Sequence, residues 1–122
     1  MLLLVDAANV VGSRPDGWWR DRARAAARLV ARLEVLPGAL LDGEVVGEVV
    51  AVLEGAARAG VPEGPSGGVQ VRHAPGSGDD LLAELAGRGV LLVTADRELR
   101  SRAEARGARV TGPRGLWQLL DG

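Results

Sequence analysis

The 122-residue sequence contains no cysteine, which excludes disulfides, thiolate nucleophiles and cysteine-ligated zinc. Every one of its 15 basic residues is arginine. That absence of lysine removes the phosphate-loop lysine, the Schiff-base lysine and the kinase lysine together. His73 is the single histidine, so a histidine-rich metal site is excluded, as is any triad that needs a second imidazole. Phe, Tyr and Ile are also missing, and the core must be built from Leu, Val and Ala. Carboxylate and guanidinium are what remains in quantity.

The 16 acidic residues nearly balance the arginines, for a net charge of −1. A dedicated DNA binder usually carries a basic excess, and none is present. An acidic pocket and an arginine rim can nevertheless cancel in the sum while standing apart in space. The apolar start, Met1 to Val5, has no basic flank and is broken by Asp6 before a signal or membrane segment is complete. The expectation is a cytoplasmic protein with no membrane association and one domain over residues 1–122.

Continuous apolar runs at Leu2–Val5, Val49–Leu53 and Val90–Val93 read as strands buried on both faces, with shorter strands at Val69–Arg72 and Ala108–Thr111. Between Asp16 and Glu34, the residues Trp19, Ala23, Ala26, Ala27, Val30 and Leu33 recur at helical spacing, opposite a ridge of Arg20, Arg24, Arg28 and Arg32. Further helices are expected from Asp79 to Ala86, opened by a Ser77 capping signature, from Asp96 to Arg106, and around Leu116–Leu120. Gly60–Gly68, rich in Gly and Pro, reads as a loop. This alternation predicts an α/β fold, a three-layer sandwich around a mostly parallel sheet.

In such sheets the ligand lies beyond the carboxyl ends of the strands. The residues at that edge are Asp6 with Asn9, Glu54, His73 and Asp96, joined by the helix that opens at Asp79. Like-charged groups at adjacent strand ends oppose joint ionisation unless a cation is shared. Oxygen-only ligands suit Mg²⁺ or Mn²⁺, which polarise a phosphoryl oxygen and acidify a bound water, so the chemistry indicated is metal-dependent phosphoester hydrolysis. An acid after a strand also serves simply as a helix cap or dipole partner. On a helical wheel Asp79 faces the sheet edge while Asp80 points to solvent, which favours Asp79 as ligand and leaves Asp80 to the dipole or a supporting position behind the ligands.

Leu4-Val5-Asp6-Ala7-Ala8-Asn9-Val10-Val11 resembles the opening strand and Asp-x-x-Asn turn of the NYN branch of PIN-like nucleases, in particular its short bacterial YacP-like members. Val52-Leu53-Glu54-Gly55, Gly78-Asp79-Asp80-Leu81-Leu82 and Val93-Thr94-Ala95-Asp96-Arg97 resemble later blocks of that family, in the same order. The resemblance implies a PIN-like fold and a metal-dependent ribonuclease acting on RNA. It implies Asp6, Asp79 and Asp96 as metal-binding acids, with Asn9 orienting one of them and Thr94 positioning water or ligand. Glu54 stands where the family has Asp, one methylene longer toward a metal or its water, and Ala95 replaces a Ser, so that hydroxyl is missing.

Arg97, next to Asp96, and Arg14, in the loop after the first acid, are candidates for bidentate contact with phosphate. The Arg20–Arg32 ridge reads either as a phosphate track or as a solvated face. Trp19 fits the core stripe, Trp18 is a base-stacking platform or a loop anchor, and Trp117 packs the tail helix. Two alternatives stand beside the ribonuclease reading: a noncatalytic RNA-binding or protein-interaction module on the same fold, and a hydrolase of small nucleotides.

Overall fold

The computed structural model describes all residues 1–122. Eight strands occur in chain order: β1 (Leu2–Asp6), β2 (Leu40–Leu41), β3 (Glu44–Val45), β4 (Val49–Leu53), β5 (Gly64–Ser66), β6 (Val69–His73), β7 (Val90–Val93) and β8 (Arg109–Thr111). The helices are α1 (Ala7–Gly12), α2 (Arg22–Leu33), α3 (Gly78–Leu85), α4 (Arg97–Ala105) and α5 (Pro113–Asp121). Six strands form one sheet in the order β5-β6-β4-β1-β7-β8, parallel except where β5 runs antiparallel to β6.

Strand alternation divides the core into the two interior layers of a three-layer α/β sandwich. Leu3, Val5, Val49, Ala51, Leu53, Leu91 and Val93 pack on one face with Val10, Ala26, Leu29, Val30, Leu33 and Leu116 of α1, α2 and α5. Leu4, Val50, Val52 and Leu92 pack on the other with Leu82, Ala83, Leu99 and Ala103 of α3 and α4. Consecutive residues of β1, β4 and β7 are thus covered on both sides, which is why their sequences are unbroken apolar runs. No helix is long and apolar enough to cross a membrane.

The chain adds β4 and then β6 on one side of β1, and returns to place β7 and β8 on the other. The strand order therefore reverses between β1 and β7, and the crevice beyond the carboxyl ends of those two strands is where an open α/β sheet receives a ligand.

Several local expectations are corrected. The helix expected from Asp16 begins only at Arg22: Trp18–Arg20 is a 3-10 turn, and Asp21 accepts from the Arg24 amide at 3.0 Å as the N-cap. That break changes the helical phase, so Trp19 is 52% exposed while Trp18 is the half-buried one. Gly60–Gly68 is not a simple loop, because Gly64–Ser66 adds an antiparallel edge strand to β6. Ser77 occupies the N-cap of α3 but its side chain makes no capping bond. The tail helix is longer than expected, running from Pro113 to Asp121.

A 3-10 segment, Gly55–Gly60, packs across α2. At Gly60 an added Cβ would lie 2.0 Å from the Ala23 carbonyl oxygen, so only glycine lets these two backbones approach.

Candidate active site

Asp6 ends β1 with its side chain on the α3/α4 side of the sheet, the side shared by Leu4. It is 5% exposed, one of two buried polar residues. The other is Thr94, which follows β7 across the reversal point. Thr94 Oγ1 donates to Asp6 Oδ2 at 2.8 Å, and the Asn9 amide donates to Asp6 Oδ1 at 3.3 Å. Burial nevertheless dominates: it raises the Asp6 pKa to about 6, those two hydrogen bonds pull it down, and the charges of Glu54 and Asp79 push it up again.

Asp79 sits in the first turn of α3, half-buried, while Asp80 is exposed beside it. The Asp79 pKa is raised by burial and then by the neighbouring carboxylates Asp96, Glu54 and Glu98, against a lowering from Arg102. Asp96 caps α4, its Oδ1 accepting from the Leu99 amide at 2.9 Å. Its own amide donates to Thr94 Oγ1 at 3.1 Å, so one hydroxyl joins the ends of β1 and β7 to the start of α4.

Glu54, just past β4, reaches across to α3 and accepts from the Gly78 amide through Oε2 at 3.0 Å. The glutamate thereby satisfies an N-terminal amide of α3, the task expected of Ser77. Four acids from four separate segments thus gather at the edge selected by sequence, close enough to raise one another's pKa values where shifts are resolved. They are hard oxygen donors of the kind that Mg²⁺ and Mn²⁺ take. No three of them form a group tight enough to ligate a single ion directly. The fit is to a hydrated ion, which keeps several waters and takes one or two carboxylates, rather than to an all-protein cage.

Asn9 meets Asp6 through its backbone amide, not its side chain, while its Oδ1 accepts from the Ala95 amide at 2.9 Å and ties the β7–α4 connection to α1. Asp80 is turned away into an ion pair with Arg102 at 3.0 Å. His73 lies at the end of β6, its Nε2 2.7 Å from the Val61 carbonyl and its amide bonded to Glu63, both structural contacts. Glu98, the second residue of α4, carries a further negative charge toward Asp79 that the strand-end rule does not point to, although its place in the first turn next to Asp96 and Arg97 is readable.

The two phosphate candidates part company. The ion pairs of the molecule use Arg14, Arg32, Arg72, Arg100, Arg102 and Arg109. Arg97 is in none of them and is exposed at the start of α4, directly after Asp96. Arg14 pairs with Asp121 of α5 and lies 3.9 Å from the centre of the Trp117 ring. Beside Glu54 a cavity of about 310 Å³ opens between Ala7, Ala8, Val11, Trp18 and Ala57, with Arg22 at its rim. The Arg22 guanidinium lies 5.3 Å from the Trp18 ring centre.

No protein-family model matches the chain, and no curated protein does. Among solved structures, the chain is similar to Rae1 (YacP) from Bacillus subtilis, with a TM-score of 0.72 at 18% sequence identity over 98% of this chain and 74% of that one. The likeness is one of fold: the α/β architecture expected from the sequence is present, and it is YacP-like.

Proposed function

We propose that the protein is a Mg²⁺- or Mn²⁺-dependent phosphodiester hydrolase acting on RNA, an endoribonuclease-like enzyme working at the carboxylate edge. The observation that carries this reading is the gathering of Asp6, Glu54, Asp79 and Asp96 around the reversal point between β1 and β7, where burial first and the neighbouring carboxylates second raise the Asp6 and Asp79 pKa values. Clustered carboxylates repel one another when ionised, and a shared divalent ion offsets that repulsion, so the gathering fits a metal site. The YacP-like fold and the four ordered sequence blocks support RNA as the substrate.

On this reading Asp6, Asp79 and Asp96 would hold a hydrated ion, one or two of them directly and the others, with Glu54, through its waters. When bound, the ion supplies a Lewis acid for the phosphoryl oxygen and an acidified water. The chain's own residues do the positioning. Thr94 fixes the Asp6 carboxylate and the Asp96 backbone with one hydroxyl, and Asn9 holds the connection between them. Arg97 offers an unpaired guanidinium to a substrate phosphate, and Trp18 offers an indole wall to a neighbouring base. Asp80 supports α3 and α4 from behind through Arg102.

One observation favours the noncatalytic module instead: the acids do not form a tight ligating group of three. Cleavage decides between them. An RNA oligomer incubated with Mn²⁺ is expected to be cut by the wild-type protein and left intact by Asp6→Asn with its circular dichroism unchanged. Full cleavage by that variant contradicts the proposal.

A further inference from the structure

A groove of about 300 Å³ runs along α2 outside the carboxylate site, lined by Arg24, Arg28, Arg32, Arg14, Trp18 and Trp117. The sequence had suggested a four-arginine ridge, but the structure separates its members. Arg20 falls in the 3-10 turn, and Arg32 is drawn onto Asp121 at 2.9 Å. Arg24 and Arg28 remain exposed, outside every ion pair, and one helical turn apart, about 6 Å along the axis. Asp16 and Asp21 also line the groove, and Asp21 is occupied in capping α2.

A second groove continues from the first, sharing Arg14 and Trp117 with it and reaching Ala95, whose amide is bound to Asn9 beside the acids. Its wall carries Arg114, exposed and also outside every ion pair. Trp117 between the grooves is a fixed partition: its indole N–H donates to the Val10 carbonyl at 3.2 Å and Ser13 Oγ at 2.9 Å, and guanidinium groups of Arg14 and Arg32 lie over the ring. Unpaired guanidinium groups thus stand in both grooves along one path, Arg114 in the groove that reaches Ala95 and Arg28 and Arg24 in the other, with Trp117 and the Arg14–Asp121 ion pair on the wall between them.

We propose that this path binds the phosphate backbone of a single-stranded RNA extending from the carboxylate edge, with Arg114, Arg28 and Arg24 each contacting a phosphate. The inference rests on the RNA reading above for its ligand. Guanidinium groups match phosphate oxygens bidentately, and Trp18 in the first groove presents an indole on which a base can stack, an interaction that the carboxylates of an acidic polypeptide do not make.

The test measures binding without cleavage. A fluorescent single-stranded RNA long enough to span both grooves is titrated with the full chain in EDTA at several salt concentrations, for wild type and for the Arg24→Gln/Arg28→Gln/Arg114→Gln variant. With about 0.7 released counterions per phosphate contact, loss of three contacts should flatten the slope of log K against log salt by about 2. Melting should be unchanged, because the three side chains are exposed and unpaired. Equal slopes and affinities overturn the proposal, as does displacement of the RNA by polyglutamate at the concentration at which unlabelled RNA displaces it. A wild-type protein that binds in this arginine-dependent manner yet cuts no RNA supports the track while contradicting the hydrolase reading.

Discussion

Thr94 Oγ1 donates to Asp6 Oδ2 at 2.8 Å and accepts from the Asp96 amide at 3.1 Å, so one buried hydroxyl spans the point at which the strand order reverses. Thr94→Val keeps the shape and removes both bonds. Buried groups left without partners cost about 1–3 kcal/mol, and the loss should appear in denaturant unfolding. The Asp6 pKa should rise further above 6, since the Thr94 bond is the largest influence lowering it. Thr94→Ser retains the hydroxyl and should restore the wild-type pH profile; a serine variant no better than valine would count against a positioning role.

Asp6 itself should trade stability for chemistry. Its folded pKa of about 6 lies above the ordinary value of 3.8, so between those values the native state binds the extra proton. Stability is then independent of this group below about pH 4, falls as pH rises through the interval, and carries the full cost above pH 6. That cost is about 3 kcal/mol at 1.36 kcal/mol per unit. Asp6→Asn should therefore be more stable than wild type at pH 7.5 without divalent ions, and lose its advantage near pH 4. Urea unfolding at the two pH values measures the difference.

Glu54 has two separable tasks. Glu54→Gln keeps an oxygen to accept from the Gly78 amide, so α3 should remain capped while the negative charge disappears from beside Asp6 and Asp79. The Asp6 carboxyl should titrate lower in that variant, an effect visible by NMR, and cleavage should fall. Glu54→Ala should add a stability loss of about 1 kcal/mol from the uncapped helix. Glu54→Asp, one methylene shorter, should also lose the Gly78 contact.

The packing of the Gly55–Gly60 segment on α2 is tested at Gly60. An alanine Cβ would meet the Ala23 carbonyl oxygen at 2.0 Å, backbone against backbone, with no flexible group to move aside. Overpacking of this kind costs about 1–3 kcal/mol or more, and Gly60→Ala should lower the melting temperature clearly. An unchanged melting temperature would show that the segment and helix are not held at this distance.

Buried parallel strands were legible because coverage on both faces demands unbroken apolar runs, as in Leu2–Val5 and Val90–Val93. Asp6, Glu54 and Asp96 were legible as acids at or just past strand ends, whereas Asp79 was legible only through the helix it opens. Trp18 and Trp19 were misplaced because one 3-10 turn shifts the phase of everything before Arg22, and periodicity alone does not reveal such a turn. The β2–β3 hairpin carries a local signal of its own: Asp42 and Gly43 between the strands adopt φ of 52° and 82°, the Asp-Gly turn such hairpins favour. Two bonds were beyond local reading. Glu54 caps α3 from 24 positions away, and Asn9 reaches Ala95 across 86. Neither partner is chosen by its neighbours in sequence; the sheet order brings them together.

On the proposed reading the carboxylate edge takes a divalent ion. Crystals soaked in Mn²⁺ at neutral pH test it most directly, through the anomalous signal of the metal. A Mn²⁺ peak should contact Asp6, Asp79 and Asp96 through oxygen or bound water and be absent from Asp6→Asn crystals treated identically. A wild-type map without a peak at this edge, with the acids unmoved at saturating Mn²⁺, would contradict that reading.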